Sequence, residues 1–170
     1  MKIYLAGLVP KGDEDGKSFS DWRVHFTSHL KKLIKADFID PRDREEDDFD
    51  ESDFEKVFAL DCKRIKECDL LIVNGDKLGV GGAQEILIAK YFKKPVILVL
   101  PKDTIHRRKD ISFKGQLIGD WIHPFLYSTC DLLVDDVKNL TKKQFDSVIN
   151  SRPKDLGLID KAILSIKKPS

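Results

Sequence analysis

No stretch of this sequence is apolar for long enough to cross a bilayer. The longest uninterrupted run, Val96 to Leu100, falls far short of the ~20 residues a spanning helix needs. Cysteine is scarce too. Cys62, Cys68 and Cys130 are odd in number, form no C-x-x-C pair and have no histidines at zinc spacing. That excludes a disulfide framework and a structural zinc site, and leaves reduced thiols. Excess charge is missing as well: 30 Lys and Arg stand against 29 Asp and Glu, a net charge of +1. No field of one sign therefore recruits duplex nucleic acid or an anionic membrane. There is no internal repeat and no low-complexity linker, and Met1-Lys2 runs into strand-like sequence without a signal-peptide pattern. These absences set the expectation of a soluble, cytoplasmic protein.

What is present is ample apolar material, 41% of 170 residues, beside 35% charged residues. That suits one domain over 1–170, with a core over 1–136 and a helical tail over 137–170. Lys2 to Gly7 reads as a first strand closed by glycine, followed by a polar loop from Leu8 to Lys17. Phe19, Trp22, Phe26, Leu30, Leu33 and Ile34 then fall at spacings of three and four, a helix stripe with Ser18 or Ser20 as N-cap. Ala36 to Pro41 predicts a brief strand. Arg42 to Glu55, with nine carboxylates in fourteen residues, predicts a solvated loop. Asp53 to Cys68 has helical periodicity, while Asp69 to Asn74 and Lys94 to Leu100 are near-continuous apolar strands of the doubly buried kind. Between those strands, Gly79 to Gly82 turns into an apolar helix over Ala83 to Phe92. Asp103 to Gly119 is aperiodic and reads as a surface loop. A short helix near Trp121 to Tyr127, an edge strand at Asp131 to Val134 and two terminal helices between Thr141 and Lys168 follow. The alternation predicts a flavodoxin-like α/β three-layer sandwich, with a five-stranded parallel sheet of order 2-1-3-4-5 and C-terminal helices.

In such a sheet ligands bind beyond the carboxyl ends of the strands at the switch point, which points to the loops 7–17 and 74–82. Two carboxylates nearby contradict their positions. Asp61 follows Val57 by four and Phe58 by three and precedes Ile65 by four, so it stands in the apolar stripe of its helix. It is either a buried acid with a partner or an acid at the stripe's edge. Glu85 follows Gly81-Gly82 and falls in the first turn of an otherwise apolar helix, where the dipole favours an ionised carboxylate. It is either a nucleophile or a plain helix-end acid. Glycines at 79, 81 and 82 allow close approach of a ligand to the backbone.

Together these residues carry a resemblance. Lys2-Ile-Tyr-Leu-Ala-Gly7, Trp22-Arg23, Asp61 with Ile65, Cys68-Asp-Leu-Leu-Ile-Val73, Gly81-Gly-Ala-Gln-Glu85-Ile with Ala89, and Lys94-Pro-Val-Ile97 resemble, in order and spacing over residues 2–101, the nucleoside 2-deoxyribosyltransferase family and its nucleotide-hydrolase relatives. The resemblance implies cleavage of an N-glycosidic bond in a (deoxy)nucleoside or nucleoside monophosphate through a covalent glycosyl-glutamate, with transfer to another base or to water. It implies Glu85 as nucleophile, Tyr4 as the tyrosine that orients it, Asp61 as the acid near the leaving base, and neither metal nor cofactor. Gly7, Gly81 and Gly82 would line the substrate. Many members carry an aspartate six residues before the glutamate, where this chain has Gly79, so either Asp76 substitutes or the sugar is held differently. Lys11 and the amide of Gly12 are the candidates for a 5′-phosphate. The family also implies a homodimer or larger even homo-oligomer in which a neighbour completes the pocket. Ser128 and Asp131 are the candidates here, and the apolar supply of Trp121 to Tyr127 agrees.

Three other features carry less. The acidic run 43–55 lacks the glycine and ligand spacing of an EF-hand. His25 and His29 stand at i and i+4 without a glutamate between them or a third ligand. His106 to Lys109 reads as an exposed basic loop. The competing class of function is a catalytically silent nucleotide-binding module that acts through a partner protein.

Overall fold

The computed structural model describes residues 1–10, 20–43 and 52–166. Five parallel strands form the central sheet: β1 (Lys2–Ala6), β2 (Asp37–Ile39), β3 (Leu70–Asn74), β4 (Val96–Val99) and β7 (Leu132–Val134), in the order β2-β1-β3-β4-β7. This is the expected 2-1-3-4-5 topology, with the last sheet strand numbered after a separate hairpin, β5 (Arg107–Phe113) and β6 (Gln116–Ile122). β4 is buried throughout and β3 at four of its five residues, because helices cover both faces. On one face α1 (Trp22–Leu33), a 3₁₀ turn (Val137–Asn139) and α5 (Lys142–Asn150) pack Phe26, Leu30, Val137 and Phe145 against Ile3, Leu5 and Ile72. On the other, α2 (Phe54–Glu67), α3 (Val80–Tyr91) and α4 (Pro124–Thr129) pack Ile65, Ile86 and Leu126 against Tyr4, Val73 and Leu98. A last helix, α6 (Gly157–Ser165), buries none of its residues.

Several boundaries differ from the sequence reading. The N-cap of α1 is Asp21, whose carboxylate accepts the Arg23 amide at 3.1 Å. Ser20 does not fill that role, and Ser18 lies outside the described residues. The helix expected from Ala83 starts at Val80, so the glycines form its first turn and Glu85 lies in the second. The segment 103–119 is not a loop. Lys114 and Gly115 both take positive φ, 49° and 82°, which is the geometry of a two-residue I′ turn whose twist matches paired strands. Charged residues along β5 hide the alternation that would have revealed it. The helix expected from Trp121 is likewise corrected: Trp121 and Ile122 end β6, and α4 begins at Pro124, a residue preorganised for a first helical turn.

Candidate active site

The chain reverses its strand order between β1 and β3, and both strands end beside the start of α3. Gly7 closes β1 with φ 150°, a conformation that favours glycine. A Cβ there would lie 2.8 Å from the Trp22 ring and 3.2 Å from the Asn74 Cβ. Trp22 and Arg23 hold the following backbone. Trp22 Nε1 donates to the Leu8 carbonyl at 3.2 Å, and Arg23 Nη1 donates to the same oxygen at 3.1 Å. The Arg23 guanidinium is buried, stacked 4.3 Å from the centroid of the Trp22 ring, with Nε 3.3 Å from Asp40. Arg42 in turn donates to Asp40 and Asp21. Alternating charges thus fix the backbone beyond β1 from below.

Across this end, Tyr4 Oη donates to Glu85 Oε1 at 2.8 Å. Tyr4 is buried in the layer between the sheet and α2 and α3, and Glu85 reaches it from the second turn of α3. Burial pushes the Glu85 carboxyl up to about 7, and the negative charge of Asp61 pushes the same way. The Tyr4 hydrogen bond and the Arg23 cation pull down. The Tyr4 hydroxyl is driven far above its ordinary value, first by burial and then by the charges of Glu85 and Asp61, so it stays a proton donor. Asp61, half-buried on α2, is thereby electrostatically coupled to both. The structure brings Tyr4, Asp61 and Glu85 into one cluster.

The glycines divide into two kinds. A Cβ on Gly82 would stand 2.4 Å from Leu78 Cδ1 and 3.8 Å from the Gly7 Cα, so this glycine lets α3, Leu78 and β1 close together. Gly79 and Gly81 face open space, with nothing within 4 Å of an added Cβ. The carbonyl of Leu78 is held 3.2 Å from His106 Nε2 at the base of the hairpin. Asp76 is exposed after β3, its amide donating to Asn74 Oδ1. Lys11 and Gly12 lie outside the described residues.

Ser128 and Asp131 stand elsewhere in the chain, at the amino end of the strands. The Asp131 carboxylate accepts from Lys90 Nζ, from the Val96 amide at 2.7 Å and from the Lys154 amide at 2.8 Å. The Ser128 carbonyl accepts from Lys154 Nζ at 3.0 Å. Sequence reasoning gave no role to Arg23. The signal was available, since Arg23 stands three before Phe26 and seven before Leu30, in the same stripe.

No family model matches the chain, and no curated protein matches it. Among solved structures, the chain is similar to a 2-deoxyribosyltransferase from Bacillus psychrosaccharolyticus, at 20% identity over 91% of this chain and 98% of that one, with a TM-score of 0.55. It also aligns with a conserved protein from Enterococcus faecalis at 17% identity, over 94% of this chain and 93% of that one, with a TM-score of 0.48. A CMP N-glycosidase from Clostridium botulinum aligns at 18% identity, over 86% of this chain and 99% of that one, with a TM-score of 0.42. The first of these likenesses is one of fold, and the fold is a flavodoxin-like α/β sandwich.

Proposed function

We propose that this chain is an enzyme that cleaves the N-glycosidic bond of a (deoxy)nucleoside or nucleoside monophosphate, with Glu85 as nucleophile. The observation that carries the reading is the hydrogen bond from buried Tyr4 to Glu85 at the mouth of the switch point. The fold shared with a 2-deoxyribosyltransferase supports it. In the first step a Glu85 oxygen bonds to C1′ as the C1′–N bond breaks, and Asp61, having taken up a proton from solvent, delivers it to the departing base. The base takes the electron pair, and positive charge on the sugar is greatest midway. In the second step the nitrogen of another base, or a water oxygen, bonds to C1′ as the Glu85–C1′ bond breaks and frees the carboxylate, and the proton of the incoming N–H or O–H passes to Asp61. Tyr4 keeps one carboxylate oxygen fixed so that the other is presented to the sugar. Gly79 and Gly81, with open space above them, leave room for substrate against the backbone.

The test is incubation of the protein with a panel of nucleosides and monophosphates, with and without an acceptor base, and chromatographic identification of products. Free base without acceptor indicates hydrolysis, and base exchange indicates transfer. Glu85→Ala is expected to abolish turnover with the fold intact. Asp61→Asn is expected to lose ~10²–10⁴-fold on bases that leave protonated and little on bases that leave without a proton. Binding of nucleotides with no turnover across the panel would instead favour the silent binding module.

A further inference from the structure

The turn between β3 and α3 has few side chains of its own to hold it. Gly79, the N-cap of α3, cannot cap the helix with a side chain, and an added Cβ on Gly79 or Gly81 would meet nothing within 4 Å. Leu78 is the fixed point. Its side chain is buried close over Gly82, in the layer that contains Tyr4 and Ile86. Its carbonyl precedes the N-cap and so stands outside the hydrogen-bond ladder of α3. That carbonyl is met at 3.2 Å by His106 Nε2. A carbonyl can only accept, so the ring carries its proton on Nε2 and donates. His106 is itself firmly placed. Its amide donates to Thr104 Oγ1 at 3.3 Å, its carbonyl accepts the His123 amide at 2.9 Å, and its ring stands edge-on to that of His123, with centroids 6.0 Å apart. The His123 ring packs in turn against Trp121 and Phe125, 6.0 Å from each. The next residue, Arg107, is buried and donates to the Leu100 carbonyl, Asp120 and Asp135.

With Glu85 read as the nucleophile, we infer that His106 is a positioning residue of the site: by holding the Leu78 carbonyl it sets the start of α3 and, through that helix, the place of the Glu85 carboxylate. The hairpin does not need this contact for itself, because Arg107 and the pairing of β5 with β6 already fasten it. The turn does need it. Upstream the turn is tied at Gly75, whose amide donates to the Val99 carbonyl at 2.8 Å, and at Asp76, whose amide donates to Asn74 Oδ1 at 3.2 Å. Downstream, His106 supplies the polar tie at Leu78. The helix begins two residues after Leu78, and Glu85 is its sixth residue. A helix is stiff over that length, so a displacement of its first turn is carried on to Glu85. The carboxylate has a narrow target, since Tyr4 Oη meets Oε1 at 2.8 Å. A misplacement of about 1 Å at a reacting group is enough to cost ~10²-fold in rate. What moves here is the reacting carboxylate, so the loss falls on kcat more than on KM.

Two variants separate the donor from the ring. His106→Leu keeps much of the bulk and removes the donor, whereas His106→Gln keeps a side-chain N–H at similar reach. On a nucleoside or monophosphate that the wild type turns over, His106→Leu is expected to lose ~10–10²-fold in kcat with KM changed by less than about threefold. His106→Gln is expected to recover most of that loss. Amide hydrogen exchange on the same proteins reads the turn without any turnover. It should quicken over residues 76–84 in the leucine variant, return toward wild type in the glutamine variant, and stay unchanged in α1 and β4. Exchange that is unchanged over 76–84, or that quickens throughout the chain, overturns the inference. So does a quickened turn with kcat unaltered, and so does a glutamine variant no better than leucine, since the ring would then act by packing alone. Should the leucine variant misfold, the ¹⁵N shifts of the wild-type His106 ring decide: a neutral ring protonated on Nε2 supports the tie, and one protonated on Nδ1 refutes it. A wild type without turnover across the panel counts against the glycosidase reading alone, and the exchange and ring shifts then judge His106.

Discussion

At the residue scale, burial and the helix dipole pull Glu85 in opposite directions, and burial wins. The dipole acts within the first turn and is worth ~0.3–1 kcal/mol. Glu85 lies one turn further on, where desolvation pushes its carboxyl up to about 7. A nucleophilic carboxylate must be ionised, so turnover should rise with pH through a limb centred near 7. Tyr4→Phe deletes a hydrogen bond to the ionised form, worth ~1.5–3 kcal/mol for charged partners, and should move that limb up by roughly one to two units. A pH profile of kcat/KM checks this, and an unmoved limb would detach Tyr4 from the carboxylate. Stability carries the same signature. Below pH 4.5, the ordinary carboxyl value, folded and unfolded chains both hold the proton. Between 4.5 and 7 only the unfolded chain ionises, so the folded state loses ground, and above 7 the loss is constant. Glu85→Gln escapes it and should gain on wild type by on the order of 1–3 kcal/mol across that window. Denaturant titrations at pH 4 and pH 8 read the difference, and parallel curves would refute the burial argument. Asp61 was legible as an apolar-stripe acid because helical periodicity makes misplaced charge visible. The elevation of Glu85 was not legible, because it depends on where the helix begins.

At the element scale, the start of α3 sorts its glycines by what surrounds them. Gly82 has no room: an added Cβ meets Leu78 at 2.4 Å, so Gly82→Ala should destabilise by ~1–3 kcal/mol through overpacking. Gly81 has room on every side, and alanine is the better helix former by up to ~1 kcal/mol. Gly81→Ala should therefore raise the melting temperature and, on the proposed reading that substrate lies in this open space against the backbone, lower activity. A stabilised variant with full activity would remove Gly81 from the site. Nothing in the sequence ranks these two glycines, since both stand in the same G-x-G-G run and only the neighbouring Leu78 tells them apart. The hairpin was hidden for a related reason. Its anchor is Arg107, buried, with Nη1 on the Leu100 carbonyl at 3.1 Å and the guanidinium paired with Asp120 and Asp135. A segment fastened by a buried cation leaves no apolar alternation to read.

At the scale of the whole molecule, the sheet order was legible because continuous apolar strands alternate with helices. Right-handed crossovers then leave few topologies open. The closure of the sheet at its far edge was not legible, because it rests on a pair 41 residues apart in sequence. Lys90, wholly buried at the end of α3, donates to the carboxylate of Asp131, which also takes the amides of Val96 and Lys154. One carboxylate thus joins α3, β4, the start of β7 and the segment that leads into α6. With three donors on it, Asp131 acts within the chain as a fastening. Asp131→Ala should strand a buried ammonium and two amides and destabilise by ~3–5 kcal/mol, as breaking one side of a buried ion pair does. Adding Lys90→Met removes the stranded charge and should restore part of that loss, because a well-packed apolar replacement of a buried pair is often neutral. Denaturant midpoints of the wild type, both single variants and the double variant form the cycle that measures the coupling. Independent, additive losses would show that the two residues stabilise the chain separately. If Asp131 also served the site, the double variant would recover stability without recovering turnover, whereas a purely structural carboxylate predicts that both return together.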